Sequence, residues 1–275
     1  MMIRPWCAAL VLTVIAGAAC QRQTAALSPG EQREIRQRLF DELKPAALKN
    51  CTLTRIGSAH DGGYVMCGNL LSGAEAVYSY GIGAEDNWGC AVATALKTAV
   101  HQYDCFTSSR PQCATAPADF HGECVGAKRE TVEARPFDTV SNQIARNGDA
   151  GKRLILKMDV EGAEWDALLA TPDSVLATID QLPMELHWFN EQRVNEQRLI
   201  DVVRKLKNTF YLANLHFNNH ACSPDLDPFR AAAFQVLWVN KRLTEPDPTR
   251  SAPSPTSPPN APDNPKGPDC QLPAP

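Results

Sequence analysis

The stretch LILKMDVEGAEW, residues 154–165, decides how this chain is read. Leu154, Ile155, Leu156 and Met158 form the short apolar run expected of a strand buried on both faces, and AEWDALLAT (163–171) then reads as a helix. Gly162 lets the chain turn between the two. Three carboxylates, Asp159, Glu161 and Glu164, crowd the turn. Acids in a helix's first turn complement its dipole, and Glu164 is read in that role. Asp159 has no such explanation, because a carboxylate at the end of a buried strand is costly without a partner or a ligand.

Outward from this point the chain alternates. AVYSYGIG (76–83), VHQYD (100–104), QLPMELHW (181–188), FYLANLHF (210–217) and AAFQVLWVN (232–240) read as strands, with a further strand near DFHGECVG (119–126). CAVATALKTAV (90–100), TVSNQIARN (139–147) and EQRVNEQRLIDVVRKLKN (191–208) read as helices between them. Strands alternating with helices imply an α/β fold, a mostly parallel sheet covered on both faces, and the last two strands, with no helix between them, should pair antiparallel at one edge. Before this fold, SPGEQREIRQRLFDEL (28–43) carries a helix start with Ser28 as cap, Pro29 in the first turn and Glu31 completing a capping box. TLTRIG and YVMC flank the SAHDGG turn (58–63) as a hairpin.

Ligands of open parallel sheets bind outside the carboxyl ends of the strands. Gly81 and Gly83 there permit a tight turn and close backbone approach, Asp86 and Asn87 add polar groups, and Asp104 ends the next strand about twenty residues on, where an acid reaches ribose hydroxyls. Asp159 and Glu161 point to the same crevice.

Taken together, DGGYVMC, VYSYGIGAEDNW, YDCF, LKMDVEGAEWDAL, MELHWFN and NLHFNN resemble the FkbM-type methyltransferase family over residues 50–242. The resemblance implies a Rossmann-like seven-stranded sheet with a reversed last strand, the class I methyltransferase fold, preceded by the helix and the hairpin. It implies S-adenosyl-L-methionine as cofactor and methyl transfer to a hydroxyl of a sugar or other small-molecule acceptor. Gly81 and Gly83 would then form the cofactor turn, Asp104 would hold the ribose, Asp159 would lie beside the methionine part, and Asp61 and Tyr64 of the hairpin motif would cover the cofactor. Trp88 stands where the family commonly has Phe, and a Cys-bearing insertion follows the second strand.

Methyl transfer needs positioning more than covalent help, with a base where the acceptor is a hydroxyl. The base candidates are His187 and His216 at strand ends, with Glu161 beside them. Glu161, Glu185 and His187 are also an alternative ligand set for a divalent metal, which their spacing does not establish.

Residues 1–20, MMIRPWCAALVLTVIAGAAC, have the layout of an export signal, and Cys20 resembles the lipidated residue of a bacterial lipoprotein, with plain cleavage after Ala18 as the alternative. Residues 21–49 form a linker and the first helix, residues 50–243 the main domain, and residues 244–275, rich in Pro, Ser and Asp, read as a disordered tail. Eight cysteines, Cys51, Cys67, Cys90, Cys105, Cys113, Cys124, Cys222 and Cys270, remain for disulfides in a periplasmic or membrane-anchored protein. A cytoplasmic location follows only if the start is misassigned. The net charge of −4 and the absence of a basic run exclude a nucleic-acid surface, so the membrane enters only through Cys20. Export sits uneasily with a cofactor made in the cytosol. The competing reading is therefore a methyltransferase fold without its chemistry, serving as an exported binding module.

Overall fold

The structure is a computed structural model that describes residues 28–187 and 196–270. The export signal, Cys20, Trp188 and the start of the long helix read at 191–208 lie outside the described residues. Ser28 caps α1 (Pro29–Glu42) through the expected capping box: its hydroxyl accepts from the Glu31 amide, and the Glu31 carboxylate accepts from the Ser28 amide. The hairpin pairs β1 (Leu53–Gly57) with β2 (Gly63–Cys67), and Cys51–Cys67 staples its base.

β3 (Ala76–Tyr80), α2 (Asn87–Leu96), β4 (Val100–Tyr103) and β5 (Ala118–His121) follow. β6 (Cys124–Val125), β7 (Glu130–Val132) and β8 (Arg135–Asp138) form a separate three-stranded sheet that the sequence reading does not resolve. β7 is exposed throughout and so carries no apolar alternation, and Gly122 and Glu123 divide what reads as one strand into β5 and β6. Next come α3 (Val140–Arg146), β9 (Leu154–Met158), α4 (Glu164–Ala170), α5 (Asp173–Leu176), β10 (Ile179–His187), α6 (Glu196–Thr209), β11 (Phe210–Phe217) and β12 (Ala233–Asn240).

The main sheet has seven strands in the order β11-β12-β10-β9-β3-β4-β5. β10, β9, β3, β4 and β5 run parallel, while β12 runs antiparallel to both of its neighbours, β10 and β11. Side-chain alternation assigns the two layers. Leu154, Leu156 and Met158 face the core shared with α3, α4 and α6, whereas Ile155 faces the hairpin and α2 with Val77 and Trp88. Burying each such aliphatic side chain contributes about 2 kcal/mol.

The eight cysteines form four pairs: Cys51–Cys67, Cys90–Cys113, Cys105–Cys124 and Cys222–Cys270. Such bonds persist in oxidising compartments. No described helix is long and apolar enough to cross a membrane.

In its described part, residues 244–270, the tail differs from the disorder expected for residues 244–275. Residues 244–270 have no helix or strand, yet they lie along the domain as a strap. Glu245 and Asp247 exchange backbone bonds with Lys49 and Ala47, Asn260 pairs reciprocally with Asn214 at 2.8 and 3.1 Å, and Asp263 is buried. Cys222–Cys270 closes the strap. Polar side-chain bonds and a disulfide hold it where apolar burial does not, which composition alone conceals.

Between β3 and β9 the chain changes direction across the sheet, and there two strand ends meet at very short range. Gly81 has φ +73, and a Cβ on it would lie 1.6 Å from the Asp159 carbonyl oxygen. Gly83, at φ +57, faces open space. Gly81→Ala is therefore expected to cost about 3 kcal/mol or more, and Gly83→Ala only about 1–2 kcal/mol. Chemical denaturation checks the order; equal costs would contradict this account of the junction.

Candidate functional site

A crevice of about 790 Å³ opens at that junction, at the carboxyl ends of β3, β4, β9 and β10, a size usual for small-molecule sites. The hairpin forms one wall through Ser58, Asp61, Gly62 and Tyr64. The glycine turn, Asp104, Asp159, Glu161 and Glu185 also line it.

The junction is sutured by Lys157, which sequence reasoning passed over although a lysine inside the run LILKM is itself a signal. Its stem is buried, and its ammonium donates to the carbonyls of Tyr80 (3.2 Å) and Gly81 and lies 3.5 Å from Asp159 Oδ2. Tyr64 donates its hydroxyl to the same oxygen at 2.6 Å. Burial, reinforced by Asp159, pushes the Tyr64 phenol well above its usual range, so it is a fixed donor. The cost of the strand-end carboxylate is thus offset by one donor and one neighbouring ammonium, and Asp159 Oδ1 is left towards the crevice, 3.8 Å from His187 Nε2.

His187 gathers the acids. Its Nδ1 lies 3.1 Å from Glu164 Oε1, and its Nε2 lies 3.5 Å from Glu185, 3.7 Å from Glu161 and 3.8 Å from Asp159. Burial alone would lower its pKa, but the bonds to Glu164 and Glu185 and their charges outweigh it and carry it up to about 10. At neutral pH His187 is an imidazolium. It is not the general base that the sequence suggested, because it has no lone pair to offer; it is a cation that holds carboxylates together. The His187 ring and the Asp159 and Glu161 carboxylates each offer a ligand atom within 4.8 Å of the others, so two members of the metal set considered from sequence, Glu161 and His187, come together with Asp159 in the place given to Glu185.

Glu164 is more than a dipole partner. It is fully buried, accepts from the backbone amides of Gly162 and His187 at 2.9 and 2.8 Å, and orients the His187 ring. Trp165 adds a bond from its indole nitrogen to the His187 carbonyl at 2.9 Å. Glu161 stands at the rim with its side chain 82% exposed and its backbone left-handed at φ +55, a strained setting for a residue other than glycine.

Three further residues differ from expectation. Asp86 borders the crevice, but its carboxylate turns inward and caps α2, accepting from the Gly89 amide (2.8 Å), the Ser79 hydroxyl (3.0 Å) and Gln102 (3.0 Å). The spacing D-x-x-G after a strand marks a helix cap as readily as a ligand contact. Asp104 sits beside the glycine turn as expected, yet it accepts from four backbone amides: Ile82 and Gly83 on Oδ2, Phe106 and Thr107 on Oδ1. It shapes the turn, and a ribose diol would have to share those acceptors. His216 does not reach the crevice at all; it is buried under the strap, with Nδ1 2.8 Å from the Pro255 carbonyl oxygen.

No protein-family profile, curated protein or solved structure matches this chain.

Folding raises the His187 pKa from 6.5 to about 10, so its stabilising contribution is complete below about pH 6.5 and fades as pH rises towards 10. Wild-type protein is expected to lose stability across that window, and His187→Gln to show a flatter profile. In Glu164→Gln the imidazole pKa, read by NMR, should fall; an unchanged value would contradict the role given to Glu164.

Proposed function

We propose that the protein is an S-adenosyl-L-methionine-dependent methyltransferase of the FkbM type, exported to an oxidising compartment, that methylates a hydroxyl of a sugar or other small molecule. One observation carries the reading: the crevice at the sheet's switch point is built for a cation, not for a phosphate. In a dinucleotide site the helix after the first strand offers its free N-terminus to pyrophosphate. Here Asp86 occupies that terminus. The remaining charged lining is Asp61, Glu85, Asp104, Glu123, Asp159, Glu161 and Glu185 against Lys157, whose ammonium is spent on backbone carbonyls. A nucleoside bearing a sulfonium and an ammonium suits that field; a polyanion does not. The seven-stranded sheet with its reversed last strand agrees with the fold this reading requires.

The residues present fit such a ligand. Open space over Gly83 leaves room for a nucleoside against the backbone, and Asp104 lies beside it. The cofactor supplies an electrophilic methyl group when bound. Asp159 Oδ1 and Glu185 offer acceptors to its cationic end, held in place by Tyr64 on one side and by Asn218 (2.8 Å) on the other. Glu161, at the rim where an acceptor enters, takes the hydroxyl proton; desolvation holds its carboxyl above the usual range, only partly opposed by the His187 imidazolium 3.7 Å away, which positions it.

The second reading, a retained fold serving as an exported binding module, is favoured by the four disulfides and by the complete engagement of Asp104 with backbone amides. Calorimetric titration of oxidised protein spanning residues 21–275 separates the two. S-adenosyl-L-methionine should bind with micromolar affinity, Asp159→Ala should weaken it at least tenfold, and NAD should give no heat. Folded protein that binds no S-adenosyl-L-methionine would leave the binding module as the account.

A further inference from the structure

Away from the crevice, β4 and β5 present a second cluster on one face of the sheet edge. The parallel register sets His101 opposite Asp119 and Tyr103 opposite His121. His121 Nε2 lies 3.2 Å and His101 Nδ1 3.6 Å from the same oxygen, Asp119 Oδ2, and all three atoms fall within 4.8 Å of one another.

We propose that His101, His121 and Asp119 form a binding site for a divalent transition ion of the zinc or copper(II) class. Three independent features support it. The spacing is that of a coordination shell: ligands about 2.0–2.1 Å from zinc in a tetrahedron stand about 3.3 Å apart. Next, His101 Nδ1 and His121 Nε2 are closed off from solvent and make no hydrogen bond, a costly state that a bound cation relieves. Last, His101 has the support of a metal ligand. Its Nε2 faces the buried Asp149 carboxylate at 3.1 Å, which fixes that nitrogen as the donor and leaves the Nδ1 lone pair directed at Asp119. Asp149 is itself held by the Tyr78 hydroxyl (2.7 Å) and Lys152 (2.6 Å).

The rings are also held flat in place. His121 stacks on Tyr103 at 4.4 Å, and His101 packs against Tyr78 at 4.9 Å. The chemical class follows from the donors: two imidazoles and one carboxylate suit zinc, copper(II) and nickel, whereas calcium and magnesium seek all-oxygen shells and copper(I) seeks thiolates. Asp119, 60% exposed, leaves the outer side open to solvent and to a further ligand. The site does not depend on the methyltransferase reading.

The test titrates oxidised full-length protein with zinc by calorimetry and examines its copper(II) complex by electron paramagnetic resonance. His121→Phe keeps the stacking surface on Tyr103, and Asp119→Ala changes an exposed side chain, so both variants should stay folded by circular dichroism. The expected result is a micromolar or tighter site weakened at least tenfold in each, and 10–100-fold in Asp149→Asn. The copper signal should show two imidazole nitrogens. The crevice cluster offers only the one nitrogen of His187. Zinc affinity unchanged by His121→Phe and Asp119→Ala, or a copper signal with a single nitrogen, would overturn the proposal.

Discussion

The close approach of the β3 and β9 ends is the constraint on which the rest of the site depends. Side chains cannot fill that junction, because Gly81 lies directly against the Asp159 carbonyl, so the backbones themselves must be held. Lys157 does so from within the sheet, spending its ammonium on the carbonyls of Tyr80 and Gly81. A buried cation without such partners would be costly, and with them it fixes two strand ends and one carboxylate at once. The crevice exists because these strands end together and their chains leave in different directions.

Around the junction, charge is organised in a chain. Buried Glu164 sets the ring of His187, and protonated His187 draws Asp159, Glu161 and Glu185 towards one point. Like charges so close would repel without that imidazolium. Tyr64 reaches in from the hairpin to Asp159, and Gln235 bridges Glu185 to Asp263 of the strap. The hairpin before the sheet and the strap after it thus converge on the same carboxylates, giving these peripheral segments a place in the site.

Much of the fold was legible because it rests on local signals. The Ser28 capping box, the paired glycines of the hairpin and the apolar runs at 76–80 and 154–158 each act over a few residues. The reversed position of β12 followed from the missing helix before it. What escaped depends on partners distant in sequence. Asp86 and Asp104 stood at ligand-like positions, and only the fold shows their oxygens already taken, by backbone amides and, for Asp86, also by Ser79 and Gln102. The protonation of His187 needed the burial of Glu164 and Glu185, which no spacing reveals. The strap looked disordered by composition, although Cys270, last of an even set of cysteines, already required that it return to the domain.

The most direct test of the central claim is the structure of the protein crystallised with S-adenosylhomocysteine, the demethylated product of the proposed cofactor. The account predicts the adenosine over the Gly81–Gly83 turn beside Asp104, and the amino-acid end against Asp159 and Glu185. A ligand bound elsewhere on the molecule, or a crevice in which the Asp159–Tyr64–Lys157 junction has come apart, would contradict it.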